Sequence, residues 1–163
     1  MNNDSKLVHE YDVVQNIAIG AIAIFNFANE FYKKTDELRG PSIALCMLVL
    51  PLIFNKNFVS NAHRRAFNGG LYKVINEDKS IFAGLQDRVE KMHGVSMRSL
   101  NLGFTSKLLT MDQENFEILP VRSKSPEFNN SEIKEMISTS RRVGQWFSQP
   151  SFQELCTLLK VRF

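Results

Sequence analysis

The sequence predicts a mainly α protein with one small β-hairpin, an α+β arrangement in a single domain. Three observations predict it. Apolar residues recur at helical spacing through most of the chain. One stretch, LLTMDQENFEILPV at 108–121, changes texture to short apolar runs around a polar turn. The 163 residues are 44% hydrophobic and 23% charged, which suits one packed domain and excludes wholesale disorder.

Residues 1–11 read as a flexible N-terminus. From Asp12, apolar positions 13, 14, 17, 18, 21, 22, 24, 25, 28 and 31 follow a helical period, and 19 and 23 are apolar too. A helix apolar nearly all round wants burial on every side, as a central helix or at a subunit contact. TDELRGP (35–41) is a break punctuated by Gly40 and Pro41. Residues 42–54 form a second apolar helix or extended run, in which Pro51 ends or kinks regular helix. Asn55 to Asn61 is polar, with Phe58 and Val59 interleaved.

Residues 62–76 read as helix, weakened by Gly69–Gly70. Residues 78–92 open on an acidic cap candidate and set Ile81, Phe82, Leu85, Val89 and Met92 on one face, with Gly94 as the stop. Residues 96–108 set Met97, Leu100, Phe104 and Leu108 on one face. The hairpin follows, with Leu109 and Met111 before the turn and Phe116 and Ile118 after it. Residues 122–130 are a linker. Ser131 opens a helix carrying Ile133, Met136, Ile137, Val143 and Phe147, and Gln149–Pro150 breaks it. Ser151 caps a short helix with Phe152, Leu155, Cys156 and Leu159.

Helix, helix, helix, hairpin over 62–121 is the order of a winged helix. The reading is therefore a winged-helix-like centre (62–121) between an apolar helical segment (12–54) and C-terminal helices (131–163). A helical domain with one surface hairpin is the alternative. The two differ in whether 96–108 packs as the second helix of a helix-turn-helix pair.

Neither apolar stretch suits a membrane span, which needs about 20 apolar residues. Val13–Phe31 contains Gln15, Asn16, Asn26, Asn29 and Glu30, and 41–54 is short and holds Pro51. A cytoplasmic protein with no membrane partner is expected. Cys46 and Cys156 read as small core residues, and the scattered His9, His63 and His93 offer no metal-ligand spacing. Phosphate-loop and nucleophile-elbow motifs are missing. His63 beside Arg64 and Arg65 is a candidate base, weighed against a basic surface patch. Cys156 with His93 makes a nucleophile pair only if folding joins them. The expectation is a protein that is not an enzyme and takes no cofactor.

Charge is more informative. The net of +3 conceals −2 over 1–55, +5 over 56–107, −3 over 108–121 and +3 over 122–163. Arg64, Arg65, Lys73, Arg98 and Lys107 are the candidates for nucleic-acid backbone contacts, and a winged-helix DNA-binding regulator would use them. The hairpin, however, carries Asp112, Glu114 and Glu117, and an acidic wing is repelled by phosphates. Protein contacts suit it better.

Four tracts occur in one order: NIAIGAIAIFNFANEFYK (16–33), PSIALCMLVLPLIFNK (41–56), RSLNLGFTSKLLTMD (98–112) and GQWFSQPSFQELCTLLKVRF (144–163). Together, over about 13–163, they resemble the middle component of three-component ABC systems, the small subunit of Lamassu-type bacterial defence operons. The most specific parts are LPLIFNK around Leu50 and Pro51, the Gly144–Trp146–Phe147 element, and Val161–Arg162–Phe163. NAHRRAFNGG (61–70) departs from the family pattern through its paired glycines. The resemblance implies a non-enzymatic adaptor joining an SMC-like (Rad50-like) ABC ATPase to an effector, commonly a nuclease, with DNA reached through the complex.

Partner-binding candidates are Phe25, Phe31, Pro51, Trp146, Phe147, Arg162 and Phe163. Trp146 is either core or an interface anchor, and Phe163 either packs on its own chain or enters a partner. Seven of the 13 phenylalanines (25, 27, 31, 54, 147, 152 and 163) lie in the apolar N-terminal elements or the last segment. That excess reads as core plus subunit contact.

Overall fold

Apolar residues on every side of 17–31 demand cover from several directions, and the fold supplies it. The computed structural model describes residues 3–121 and 124–163, with side chains from residue 16 onward. Helix α1 (Asn3–Lys34) begins well ahead of Asp12 and takes in residues that the sequence leaves loose. It packs along α6 (Leu85–Thr105) on one side and α7 (Ser131–Phe147) on another. Ala23, Ile24, Phe25, Phe27, Ala28 and Phe31 are buried, so α1 is the central helix of the two options its composition allowed.

The second apolar run folds as two short helices, α2 (Ile43–Met47) and α3 (Val49–Ile53). Pro51 has no N–H to give the Met47 carbonyl, so the helix breaks at Leu48 and restarts. Within α3, Pro51 sits in the first turn, where its missing donor costs nothing. Asn55 then caps α4 (Lys56–Ala62) by accepting from the Phe58 N–H at 3.1 Å. This corrects the expected polar interlude at 55–61, because Phe58 and Val59 are both buried. It also corrects the helix expected over 62–76. The chain turns after Ala62, and α5 (Gly70–Glu77) starts only once Gly69 has adopted a left-handed φ of 71°.

The helix-turn-helix pair is the largest correction. A 3-10 turn occupies Lys79–Phe82, and α6 then runs unbroken through Gly94. Leu85, Val89, Ser96, Ser99, Leu100 and Gly103 are buried along α6 on both sides of that glycine. One glycine costs about 1 kcal/mol in a helix interior, less than this shared buried face returns. The mainly α class with a small hairpin is thus found, while the separate recognition helix of a winged helix is not formed.

Strands β1 (Leu109–Asp112) and β2 (Glu117–Pro120) pair antiparallel, with Leu109 opposite Pro120 and Asp112 opposite Glu117. Ile118 is buried, and its N–H donates to the Pro41 carbonyl at 2.9 Å. Met111 and Phe116 are exposed, and Phe116 belongs to the turn rather than to β2. α7 opens at Ser131, as the sequence expects, with Asn130 as its cap. Ser151 opens α8 (Phe152–Leu159) with a full capping box to Glu154. No single helix among the described residues is long and apolar enough to cross a membrane. The α2–α3 stretch with α4 passes that test by composition, but it bends by 97°.

Candidate partner-binding surface

Five of the seven residues expected to meet a partner stand in the chain's own core. Phe25, Phe31, Pro51, Trp146 and Phe147 are all buried. Phe147 meets Phe27 edge-on with ring centres 6.0 Å apart, and Phe27 lies 6.1 Å from Phe31. The Arg39 guanidinium closes over Phe31 at 5.6 Å. Trp146 donates its indole N–H to the Ala66 carbonyl at 3.2 Å. A side chain at position 70 would put its Cβ well inside 3.0 Å of the Trp146 ring. Gly70 therefore lets the loop lie flat on Trp146, and of the two readings of that tryptophan the structure gives core.

Arg162 and Phe163 are the two that remain outside. Lys160 ends α8 in a left-handed conformation, and Val161 drops back into the core. Gln86 then grips Arg162 twice: its Oε1 accepts the Arg162 N–H at 2.8 Å, and its Nε2 donates to the Arg162 carbonyl at 3.2 Å. Phe163 is left 60% exposed, with its ring centre 5.6 Å from that of Phe152. It borders a cavity of about 530 Å³ lined by Ile43, Met47, Val89 and His93.

The five basic candidates are scattered, two on helices and three in the turns that follow helices. Arg64, in the turn after α4, donates to the His63 ring at 3.1 Å. Arg65 forks onto both carboxylate oxygens of Glu77, so its charge is already matched within the chain. Lys73 lies exposed on α5, Arg98 exposed on α6, and Lys107 just past α6 with a left-handed φ of 57°. Arg142 is turned inward as well. It stacks over Phe67 at 4.7 Å and donates to the Arg65 carbonyl at 2.7 Å.

Sequence reasoning missed the most exposed apolar side chains. Leu38 is 85% exposed in the turn after α1, and Phe116 is 65% exposed at the hairpin tip. Tyr72, Met97 and Leu102 are also on the surface. The signal for Leu38 was present, as one leucine among Thr, Asp, Glu and Arg in a stretch otherwise read as punctuation. Phe116 carried no such signal, because a phenylalanine after a polar turn reads as a strand residue.

The chain as folded thus closes its own core and leaves isolated large apolar side chains on its surface. Comparison with protein families finds that the model of the ABC-three component (ABC-3C) system Middle Component 3 matches residues 4–163. The chain belongs to that family. A Middle Component 3 protein is one part of a multi-component ABC system and works alongside an ABC ATPase and other components. No curated protein and no solved structure matches the chain. In this Middle Component 3 chain the Gly144–Trp146–Phe147 element is the place where α7 closes on α1 and on the glycine loop.

Proposed function

We propose that this Middle Component 3 chain is a non-catalytic adaptor. It bridges an SMC/Rad50-like ABC ATPase and a nuclease-like effector in a Lamassu-type bacterial complex acting against phage or plasmids in the cytoplasm. The observation that carries the reading is the family match over 4–163, nearly the whole chain. The surface supports the reading, since it leaves large apolar side chains such as Leu38, Phe116 and Phe163 exposed, and aromatic residues are enriched at protein interfaces. DNA then reaches the complex through the ATPase rather than through this subunit.

Co-expression of the tagged chain with the products of its neighbouring genes tests this. Both an ABC ATPase and a second protein are expected to elute with it in fixed proportion. Elution of the chain alone, or an adjacent gene set that encodes no ABC ATPase, overturns the reading.

A further inference from the structure

Asn26 is an amide in the middle of an apolar helix, only 1% exposed, and such a group needs partners. Its Nδ2 donates to the Ile22 carbonyl at 2.9 Å and to the Ser125 hydroxyl at 2.8 Å, and its Oδ1 accepts from the Arg141 Nε at 2.9 Å. One buried side chain on α1 thus fixes the segment before α7 and an arginine on α7 itself. Ser125 and Arg141 both line a cavity of about 600 Å³, walled by residues 124–129 and by one face of α7. That volume lies within the ~300–1,000 Å³ range of small-molecule sites.

Three cations, Lys124, Lys134 and Arg141, line the cavity against one carboxylate, Glu127. None of the three has an ion-pair partner among the described residues. No acid stands three or four places from Lys134 or Arg141, the spacing at which helix neighbours pair. The acids of α7, Glu132 and Glu135, line a different cavity, with Lys56 and Phe54. On α1, Glu30 follows Asn26 by one turn, and it is taken by Lys33 at 3.3 Å and by the Gln145 amide at 2.9 Å. With its Nε held by Asn26, Arg141 keeps two terminal nitrogens, and these donate to no group among the described residues.

We propose that this cavity binds a small phosphate-bearing molecule of about the size of a nucleoside phosphate. Arg141 forks onto phosphate oxygens, and Lys124 and Lys134 add point charges. A guanidinium already fixed at Nε loses little freedom on binding. The net charge of the lining matches a phosphate group, which carries about −1.5 to −2 at pH 7, better than a single carboxylate. Phe128, half-buried in the wall, offers a ring face to the rest of the ligand. A nucleic-acid backbone is bound by cations spaced along a groove, whereas these three converge on one cavity. The site goes beyond the adaptor reading and does not rest on it.

The experiment titrates ADP and pyrophosphate into the full chain by calorimetry, with adenosine and with sodium chloride at matched ionic strength as comparisons. ADP and pyrophosphate are expected to bind and to raise the melting temperature, and adenosine is expected to do neither. Arg141→Gln is expected to weaken binding about tenfold, the loss of a charge-assisted hydrogen bond. It also deprives Asn26 of a partner, so Lys134→Gln, at an exposed position, carries the test should the arginine variant melt early. Lys134→Gln is expected to weaken binding about fivefold with no drop in melting temperature, the effect of one unit charge close to the ligand in water. Lys73→Gln, on α5, is expected to bind as wild type does. No binding of either phosphate compound, or equal binding by wild type and Lys134→Gln, overturns the proposal. A chain that binds a DNA duplex through Lys134 but takes up neither ADP nor pyrophosphate assigns these cations to a nucleic-acid backbone and also overturns it. The adaptor reading stands or falls separately, on capture of the ATPase.

Discussion

Gly144 on α7 faces the Phe27 carbonyl on α1 with no room for a side-chain carbon between them. A Cβ at position 144 would fall well inside 3.0 Å of that oxygen, 3.1 Å from the Phe27 carbonyl carbon and 3.2 Å from the Phe31 nitrogen. All three are backbone atoms, so no rotamer can relieve the clash and the helices themselves must part. Gly144→Ala is expected to lower stability by about 2 kcal/mol or more, after the ~1 kcal/mol that alanine returns in helix propensity. Gly94→Ala is the control. Nothing lies within 4 Å of a Cβ at that position, so the same substitution in α6 is expected to raise stability by about 0.5–1 kcal/mol. Opposite shifts of the urea midpoint check the pair.

That contrast also explains which parts of the fold the sequence revealed. Periodicity located α1, α7 and the hairpin, because each has a side that must be buried. It failed at Gly94, which looked like a helix stop and is a solvent-facing position inside a long helix. The decision between stop and passage rested on the buried face continuing from Val89 to Ser96, a tertiary fact with no local signature. The candidate site fared less well for a related reason. Phe25, Phe31, Trp146 and Phe147 were singled out as apolar and specific, and residues of that kind close cores more often than interfaces. Leu38 and Phe116 become visible as surface anchors only once exposure is known.

Ser99 stands against Gly20 at the α1–α6 contact, with its hydroxyl buried and unpartnered among the described residues. A buried hydroxyl without a partner costs about 1 kcal/mol or more. Ser99→Ala is therefore expected to stabilise the chain by about 1 kcal/mol, since it removes the oxygen without adding volume. A larger residue has the opposite effect, because Gly20 leaves no space. Chemical denaturation that shows Ser99→Ala weaker than wild type refutes this account of the contact.

Ser151 accepts from the Glu154 N–H at 3.2 Å, and the Glu154 carboxylate accepts from the Ser151 N–H at 2.7 Å. The cap at Ser151 was legible in the sequence because it is local, a serine just after Pro150, and the structure adds the reciprocal bond from Glu154. Its effect reaches the core through Leu155 and Leu159, which α8 buries completely. Ser151→Ala is expected to cost about 1 kcal/mol, read as a lower thermal midpoint. Ser151→Asp, which can still cap, is expected to keep most of the stability.

The two cysteines differ in cover, and their chemistry should differ with it. Cys46 on α2 is fully buried, and desolvation pushes its thiol far above the ordinary range. Cys156 on α8 is half-buried, and the same cause raises its thiol as well. The thiolate is the reactive form. A thiol reagent is expected to label Cys156 slowly in the native chain, faster as pH rises, and to leave Cys46 untouched until the chain unfolds. Linkage gives the sign of the effect on stability. Below about pH 8.5 both the folded and the unfolded thiol of Cys46 keep their proton, and this group does not bias folding. Above that, only the unfolded thiol ionises, so stability falls with rising pH, by up to about 1.4 kcal/mol per pH unit from this one group. Cys46→Ala should flatten that alkaline loss while creating a small cavity. Mass spectrometry after native labelling checks the first point, and denaturation midpoints across the alkaline range check the second. Equal labelling of the two cysteines in the native chain would place Cys46 outside the core that α1, α2 and α6 build.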